Sequence, residues 1–298
     1  MLLAQNYNLR KQTLISMFLV LFSSFCFSWG VSLVKLVSPT LPSLMVLFFR
    51  SLFAFTFLLP FILRHGMKNL KTTRLPLHLT RVVFITAALF STYFAYRQLP
   101  LATSSAIGFT GPLITSFLAF LFLKETNSPV RWLLIGLGYG GILIMLQGFS
   151  FHLGLPILMA FVANLLASGS NILSKKLLTT ESSATLLFYA TGASMILSGI
   201  ASIGIWQMPS IVDIYLLMGV ALCGLLSNAT LVEALKYGRA SFVAPFEYTR
   251  LIFATTIGYF LFQEIPSLNV LAGACIIAVS TLLLSRMELK ERTVKISP

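Results

Sequence analysis

Apolar residues in this chain neither alternate with polar ones, as a half-buried strand requires, nor recur at the spacing of an amphipathic helix. They come in continuous runs bounded by short polar breaks. The runs fall near 13–34, 42–63, 80–97, 103–123 and 130–147, and again near 153–174, 183–206, 212–235, 241–262 and 267–286. A helix needs about 20 mostly apolar residues to cross a bilayer. The pattern therefore predicts an all-α integral membrane protein with ten transmembrane helices. Proline, glycine and charge gather at the breaks, as in "SPTLPS", "RHGMKNLKTTRLP", "KETNSP" and "QEIPS", where they end helices and start turns. Residues 1–12 and 287–298 are left as polar tails. The first run, behind Arg10 and Lys11, is too long for a cleavable leader and has no A-x-A-like site after it, so it reads as a span.

Composition agrees. The 298 residues are 57% hydrophobic and only 10% charged, with a mean hydropathy of +0.91, far from the roughly 25% charge of a soluble domain. The net charge of +13 would suit nucleic acid only if the cations clustered on a soluble face, and here they lie scattered between apolar runs. They report orientation instead. With both termini in the cytoplasm, sixteen Lys and Arg fall inside and two, Lys35 and Arg97, fall outside, the asymmetry that the positive-inside rule expects. Three more, Arg50, Arg81 and Arg250, lie within spans.

The chain also resembles itself. Shifted by about 140 positions, "SWGVSLVK" (28–35) falls on "SGSNILSK" (168–175), matching Ser28 to Ser168 and Lys35 to Lys175. Further on, Ala102 falls on Ala240, Glu125 on Glu264, Pro129 on Pro266 and Gly136 on Gly273. Two units follow, 13–147 and 148–286, each with five spans. Because five is odd, the second must enter the membrane from the opposite side, so the repeats are predicted to be inverted. That is an architecture of secondary transporters, in which two exchanging halves alternate access to a central site.

Candidate chemistry is sparse. Cys26, Cys223 and Cys275 sit inside apolar runs and read as small hydrophobes. The three histidines show no ligand spacing, so no metal or other cofactor is expected. "GLGYGG" (136–141) fits G-x-G-x-x-G but follows no strand, and Gly136 and Gly140 read better as a close-packing GxxxG. No nucleotide-hydrolysing or hydrolase motif occurs, and the chain is not expected to be an enzyme. Trp132 and Trp206 mark span ends, whereas Trp29 lies within the first span.

The charges inside spans carry the functional signal, since an ionised side chain near mid-membrane costs about 2.5–3.5 kcal/mol on insertion scales. Arg50 lies about 12 Å into its span at 1.5 Å per residue, where its fork of donors would suit a carboxylate or phosphate or fix the fold. Glu247 and Arg250, at i and i+3, share a helical face and are either a self-neutralising pair or contacts for a substrate carrying both charges. Pro245 just before them frees backbone carbonyls, a feature tolerated at depth where backbone lines a cavity. Tyr248, with Phe246 or Trp29, is expected to stack on that substrate. Glu233, near a span end, reads as a partner of Lys236 or as a proton relay.

Ten spans in two inverted halves, "FSWG…K" in the first span and the "A…P…E" pattern ending the fourth resemble the EamA family of the drug/metabolite transporter superfamily. "VLFFRSLFAFTFLLPFILRHGMKNLKTTRLPLHLTR" and "APFEYTRLIFATTIGYFLFQEIPSLNVLAGACII" are similar to its bacterial S-adenosylmethionine uptake subgroup. Arg50 and Ala244, Pro245, Phe246 and Tyr248 match that subgroup's second-span arginine and "A-P-[FY]-x-Y", while the acid and base of the ninth span stand in reversed order. The resemblance implies an inner-membrane carrier of a small polar, zwitterionic metabolite, S-adenosylmethionine-like or amino-acid-like. Its partners would be that substrate, membrane lipid and a coupling proton or counter-substrate, with no nucleic acid, in a monomer or homodimer. A drug exporter or lipid-intermediate flippase on the same fold, and a membrane subunit that transports nothing, are the alternatives.

Overall fold

The computed structural model describes residues 2–65, 72–99, 104, 107–108, 110–123, 128–146, 154–238, 240–263 and part of 268–287, without the side chains of 2–10, 64–65, 112–113, 142, 145–146, 241 and 245. The repeat match of Glu125 to Glu264, the ring of Pro245 and the C-terminal tail from residue 288 lie outside it.

Every regular element among the described residues is helical: α1 (Leu2–Leu36), α2 (Ser43–His65), α3 (Leu75–Gln98), α4 (Thr110–Leu123), α5 (Pro129–Leu146), α6 (Leu155–Leu177), α7 (Ser183–Ser202), a 3-10 turn (Ile203–Ile205), α8 (Ile211–Tyr237), α9 (Ala240–Phe246) and α10 (Thr249–Phe262). Six helices among these residues, α1, α2, α3, α6, α8 and α7 with its 3-10 extension, are long and apolar enough to cross a membrane, and Ile114–Leu123 is a shorter apolar helix. The 241–262 run, expected as one helix, is divided into α9 and α10. The breaks have local causes. Prolines stand in the first turn of α3 and α6, where the missing N–H has no partner to lose. Ser182 caps α7, and Ser210 with Asp213 forms a capping box on α8.

The helices pack in a pattern that repeats itself. α1 lies along α8 and α3 along α6; α1 contacts α10, and α4 contacts α6; α2 packs on both α7 and α8. Residues matched in sequence make matched hydrogen bonds. Ser28 Oγ donates to the Arg250 carbonyl at 3.0 Å and Ser168 Oγ to the Gly111 carbonyl at 3.0 Å. Thr249 Oγ1 donates to the Phe246 carbonyl at 2.7 Å, and Thr110 Oγ1 to the Ile107 carbonyl at 2.9 Å.

Small polar side chains knit the interior, as helix packing in lipid favours. Ser23 Oγ of α1 donates to the Ser227 carbonyl of α8 at 2.8 Å, and Ser16 Oγ to the Ala234 carbonyl at 3.0 Å. Large apolar residues such as Phe18, Leu133 and Phe260 face outward, as a lipid-facing surface requires. The GxxxG reading needs correction: a Cβ on Gly136 or Gly140 would meet no described atom within 4 Å. The close approaches fall on Gly138, 3.0 Å from the Tyr248 ring, and Gly141, 2.9 Å from the Gly273 carbonyl. Those two glycines, two positions after Gly136 and one after Gly140, face Ser280 and Gly273 of the helical residues beyond 268.

At the Ser38–Leu41 end, Arg97 donates to the Leu41 carbonyl and, at 2.6 Å, to the Ser38 carbonyl. Asp213 accepts from the Ser38 N–H at 2.8 Å. One cation and one anion, from α3 and α8, thus hold the α1–α2 turn.

Candidate functional site

The break between α9 and α10 builds the site. After Phe246 the chain makes a turn at Glu247 and Tyr248, closed by tight i→i−3 bonds from the Glu247 N–H to the Ala244 carbonyl and from the Arg250 N–H to the Glu247 carbonyl, both 3.0 Å. Such 3-10 geometry between two helices marks a departure from the α-helical ladder. It sets the two charges together: Arg250 Nη2 lies 2.8 Å from Glu247 Oε2, and the Arg250 guanidinium carbon sits 4.2 Å from the centre of the Phe27 ring. The ion pair is made, and a ring face on α1 supports its cation.

Beside the pair lies a cavity of about 930 Å³ whose walls include Arg50 of α2, Arg81 of α3, Asn164 and Asn171 of α6, Asn228 of α8 and the pair itself. A second compartment of about 500 Å³, bordered by Tyr96, Ser104 and Gly108, shares Phe27, Thr92, Asn164, Glu247 and Arg250 with it. The ion pair therefore stands where the two spaces meet. Arg81 is fully buried and held by structure, its Nε donating to Ser174 Oγ at 2.6 Å and its Nη1 to the Leu186 carbonyl at 3.0 Å. Arg50 is 5% exposed, and its Nε has no acceptor among the described residues. Asn164 spends its amide on the Ile107 and Ala160 carbonyls at 3.1 and 2.7 Å.

Comparison with known proteins decides what this cavity belongs to. The EamA-like transporter family matches the chain twice, over residues 14–147 and 154–286. The chain belongs to that family. It is 30% identical over 262 residues to the S-adenosylmethionine uptake transporter of Rickettsia bellii (strain RML369-C), covering 88% of this chain and 90% of that one. It is 26% identical to the riboflavin transporter of Brucella anthropi over 83% of this chain and 89% of that one. The pseudopaline exporter CntI of Pseudomonas aeruginosa is also 26% identical, over 90% of this chain and 95% of that one. A solved crystal structure with 14% sequence identity shares the fold, with a TM-score of 0.77 over 93% of this chain and 98% of that one.

In this EamA-like transporter, three of the six expected site residues, Arg50, Glu247 and Arg250, line one cavity. The three aromatics do not. Tyr248 turns to Gly138, Phe246 packs on Phe242 at 5.0 Å between centroids within an apolar cluster with Val20 and Ala119, and Trp29 meets Phe25 edge-on at 6.5 Å. The reason is helical phase: at 100° per residue, neighbours of a cavity-facing residue point elsewhere. The aromatic at the ion pair is Phe27. Glu233 lies 3.8 Å from Lys236, away from the central cavity. Arg81, noted in the sequence only as a charge within a span, was not among the expected site residues, and neither were the three asparagines, although polar side chains inside apolar runs were a visible signal.

Proposed function

We propose that this transporter carries a small polar, zwitterionic metabolite, S-adenosylmethionine-like or amino-acid-like, through the central cavity by alternating access. The observation that carries the reading is the convergence of Arg50, Glu247 and Arg250 from two helices on one space lined by asparagine and serine. A carrier of amino carboxylates needs both charge signs and neutral amides in one place; a lipid-intermediate flippase wants an apolar cavity. The relatives' names, a metabolite uptake transporter, a vitamin transporter and an exporter of a small product, agree on a small-molecule cargo but not on direction. Glu247, Arg250 and Arg50 form the binding wall.

In this reading the chain has ten spans in two inverted five-helix halves, with both termini in the cytoplasm of a bacterium and the body in its inner membrane. The matched hydrogen bonds of Ser28 and Ser168, and of Thr110 and Thr249, support two halves related by exchange. Exchanging their conformations moves the opening of the cavity from one membrane face to the other. The test is uptake into proteoliposomes holding the full-length protein, with radiolabelled S-adenosylmethionine, amino acids and riboflavin against protein-free vesicles. Time-dependent accumulation or counterflow of an amino carboxylate is expected. Movement of fluorescent lipid alone would replace this reading with the flippase.

A further inference from the structure

The side of α8 turned away from the central cavity borders a second space. α2 packs on both α7 and α8, and the three helices leave between them a groove of about 1420 Å³, larger than either central compartment. The two spaces share no described lining residue. On α8, Gly224, Ser227 and Asn228 border the central cavity, whereas Leu225, Leu226 and Ala229 border the groove. Leu58 and Ile62 of α2 pack with Leu187 of α7 in one buried apolar cluster along it, while Phe61 and Leu226 of the same lining are exposed. Ala184 and Ala229, with no side chain beyond Cβ, keep the groove open between α7 and α8.

One end of the groove is polar. Glu233 and Lys236 of α8 line it there with Ser182 and Ser183 at the start of α7, ends that lie together because Leu186 and Val232 share an apolar cluster. Lys236 Nζ is 3.8 Å from Glu233 Oε2, and the side chains are 52% and 33% exposed. That separation is too long for a hydrogen bond, so each charge can still take a partner of opposite sign. From Leu225 to Lys236, α8 rises about 16 Å at 1.5 Å per residue, the depth of one leaflet of a hydrocarbon core about 30 Å thick. We infer that the groove seats one phospholipid with a primary-ammonium headgroup, phosphatidylethanolamine. An acyl chain lies along α2 between α7 and α8, the phosphate meets Lys236, and the ammonium donates to Glu233. A trimethylammonium headgroup has no N–H to give the carboxylate, and a glycerol headgroup has no cation to offer it. A second copy of the chain fits poorly, since a two-fold contact sets the same patch against itself and two concave faces do not fill each other. The inference needs only that the protein lies in a membrane, and it is independent of what the central cavity carries.

The test uses the full-length protein, stripped of lipid in detergent and titrated with mixed micelles of phosphatidylethanolamine, phosphatidylcholine or phosphatidylglycerol of identical acyl chains, with the melting midpoint as readout. Phosphatidylethanolamine is expected to raise the midpoint saturably, half-saturating at a concentration about tenfold below the other two, the effect of one charge-assisted hydrogen bond. Glu233→Gln should erase the preference over phosphatidylcholine, and Lys236→Gln should weaken the response to all three. Ala229→Phe, which fills the groove and leaves both charges, should abolish it. If Ala229→Phe gives no folded protein, the two charge variants decide. Equal half-saturation by the three lipids, or a phosphatidylethanolamine response unchanged in the variants that fold, overturns the seat. So does a dimer in detergent that Ala229→Phe dissolves while no lipid shifts the midpoint, which would assign the groove to a second copy.

Discussion

Neutralising one member of the ion pair at a time should destabilise the protein unequally, and the structure says in which order. Removing one partner of a fully buried pair costs about 3–5 kcal/mol, because the other charge is left behind. Glu247 and Arg250 differ in what remains to them. The Glu247 side chain is 10% exposed, against 22% for Arg250, and Arg250 keeps the Phe27 ring at 4.2 Å, a contact worth about 0.5–2 kcal/mol. Arg250→Gln therefore strands a carboxylate with little solvent and no ring, and about 3–5 kcal/mol is expected. Glu247→Gln strands a cation that is partly wet and still stacked, and about 1–3 kcal/mol is expected. Phe27→Leu should narrow the difference. Folded yield by fluorescence-detected gel filtration and the melting midpoint at neutral pH measure the order, and proteoliposome uptake measures function alongside. The double exchange Glu247→Arg with Arg250→Glu should not restore stability, since the relocated guanidinium no longer faces Phe27. If Glu247→Gln proves as destabilising as Arg250→Gln, or the exchanged protein is fully stable and active, ring support of the cation and the binding role of the pair are both wrong.

Other contacts give independent checks. Gly141→Leu should cut folded yield severely, because even its Cβ would press to 2.9 Å on the Gly273 carbonyl, while Gly136→Ala and Gly140→Ala leave the midpoint within error; thermal unfolding in detergent compares them. Ser28→Ala and Ser168→Ala should each cost about 0.6 kcal/mol, the average for a hydrogen bond between membrane helices, and matching losses are the signature of matched roles. Arg97→Gln should loosen the α1–α2 turn, whose Ser38 and Leu41 carbonyls it caps, and raise hydrogen exchange or proteolysis at 38–42 without removing α2.

Much of the frame was legible because membrane solvent makes few demands and makes them loudly. Continuous apolar runs located the helices, and a charge inside a run located the wall of the cavity. What the runs could not show is rotation. Hydrophobicity that is nearly uniform around a helix leaves its phase unspecified, so Tyr248, Phe246 and Trp29, placed near the charges by position, turn out to face protein or other rings. The same blindness put the close helix contact on Gly136 and Gly140 instead of Gly138 and Gly141. Phe27 was hidden for a further reason: among 26 phenylalanines, only the tertiary position of Arg250 distinguishes it.

The matched hydrogen bonds carry one more step. They fix a register in which Thr110 corresponds to Thr249 and Gly111 to Arg250, so Gly108 stands for Glu247. One half has glycine at both positions where the other has the acid and the base, and Gly108 borders the compartment that Glu247 closes. The scaffold is duplicated, but the charge is present once. Two copies of the pair facing each other across the centre would crowd four ionised groups into a space bounded by lipid-buried helices, with desolvation to match. A single pair opposite two glycines leaves room for a ligand on the uncharged side. Restoring symmetry should therefore be harmful: Gly108→Glu with Gly111→Arg adds a second pair to the same space, and should lower folded yield and abolish uptake, whereas Gly108→Ala, with nothing within 4 Å of its Cβ, should leave both near wild type. A symmetrised protein that folds and transports normally would show that the cavity's function does not depend on the difference between its halves.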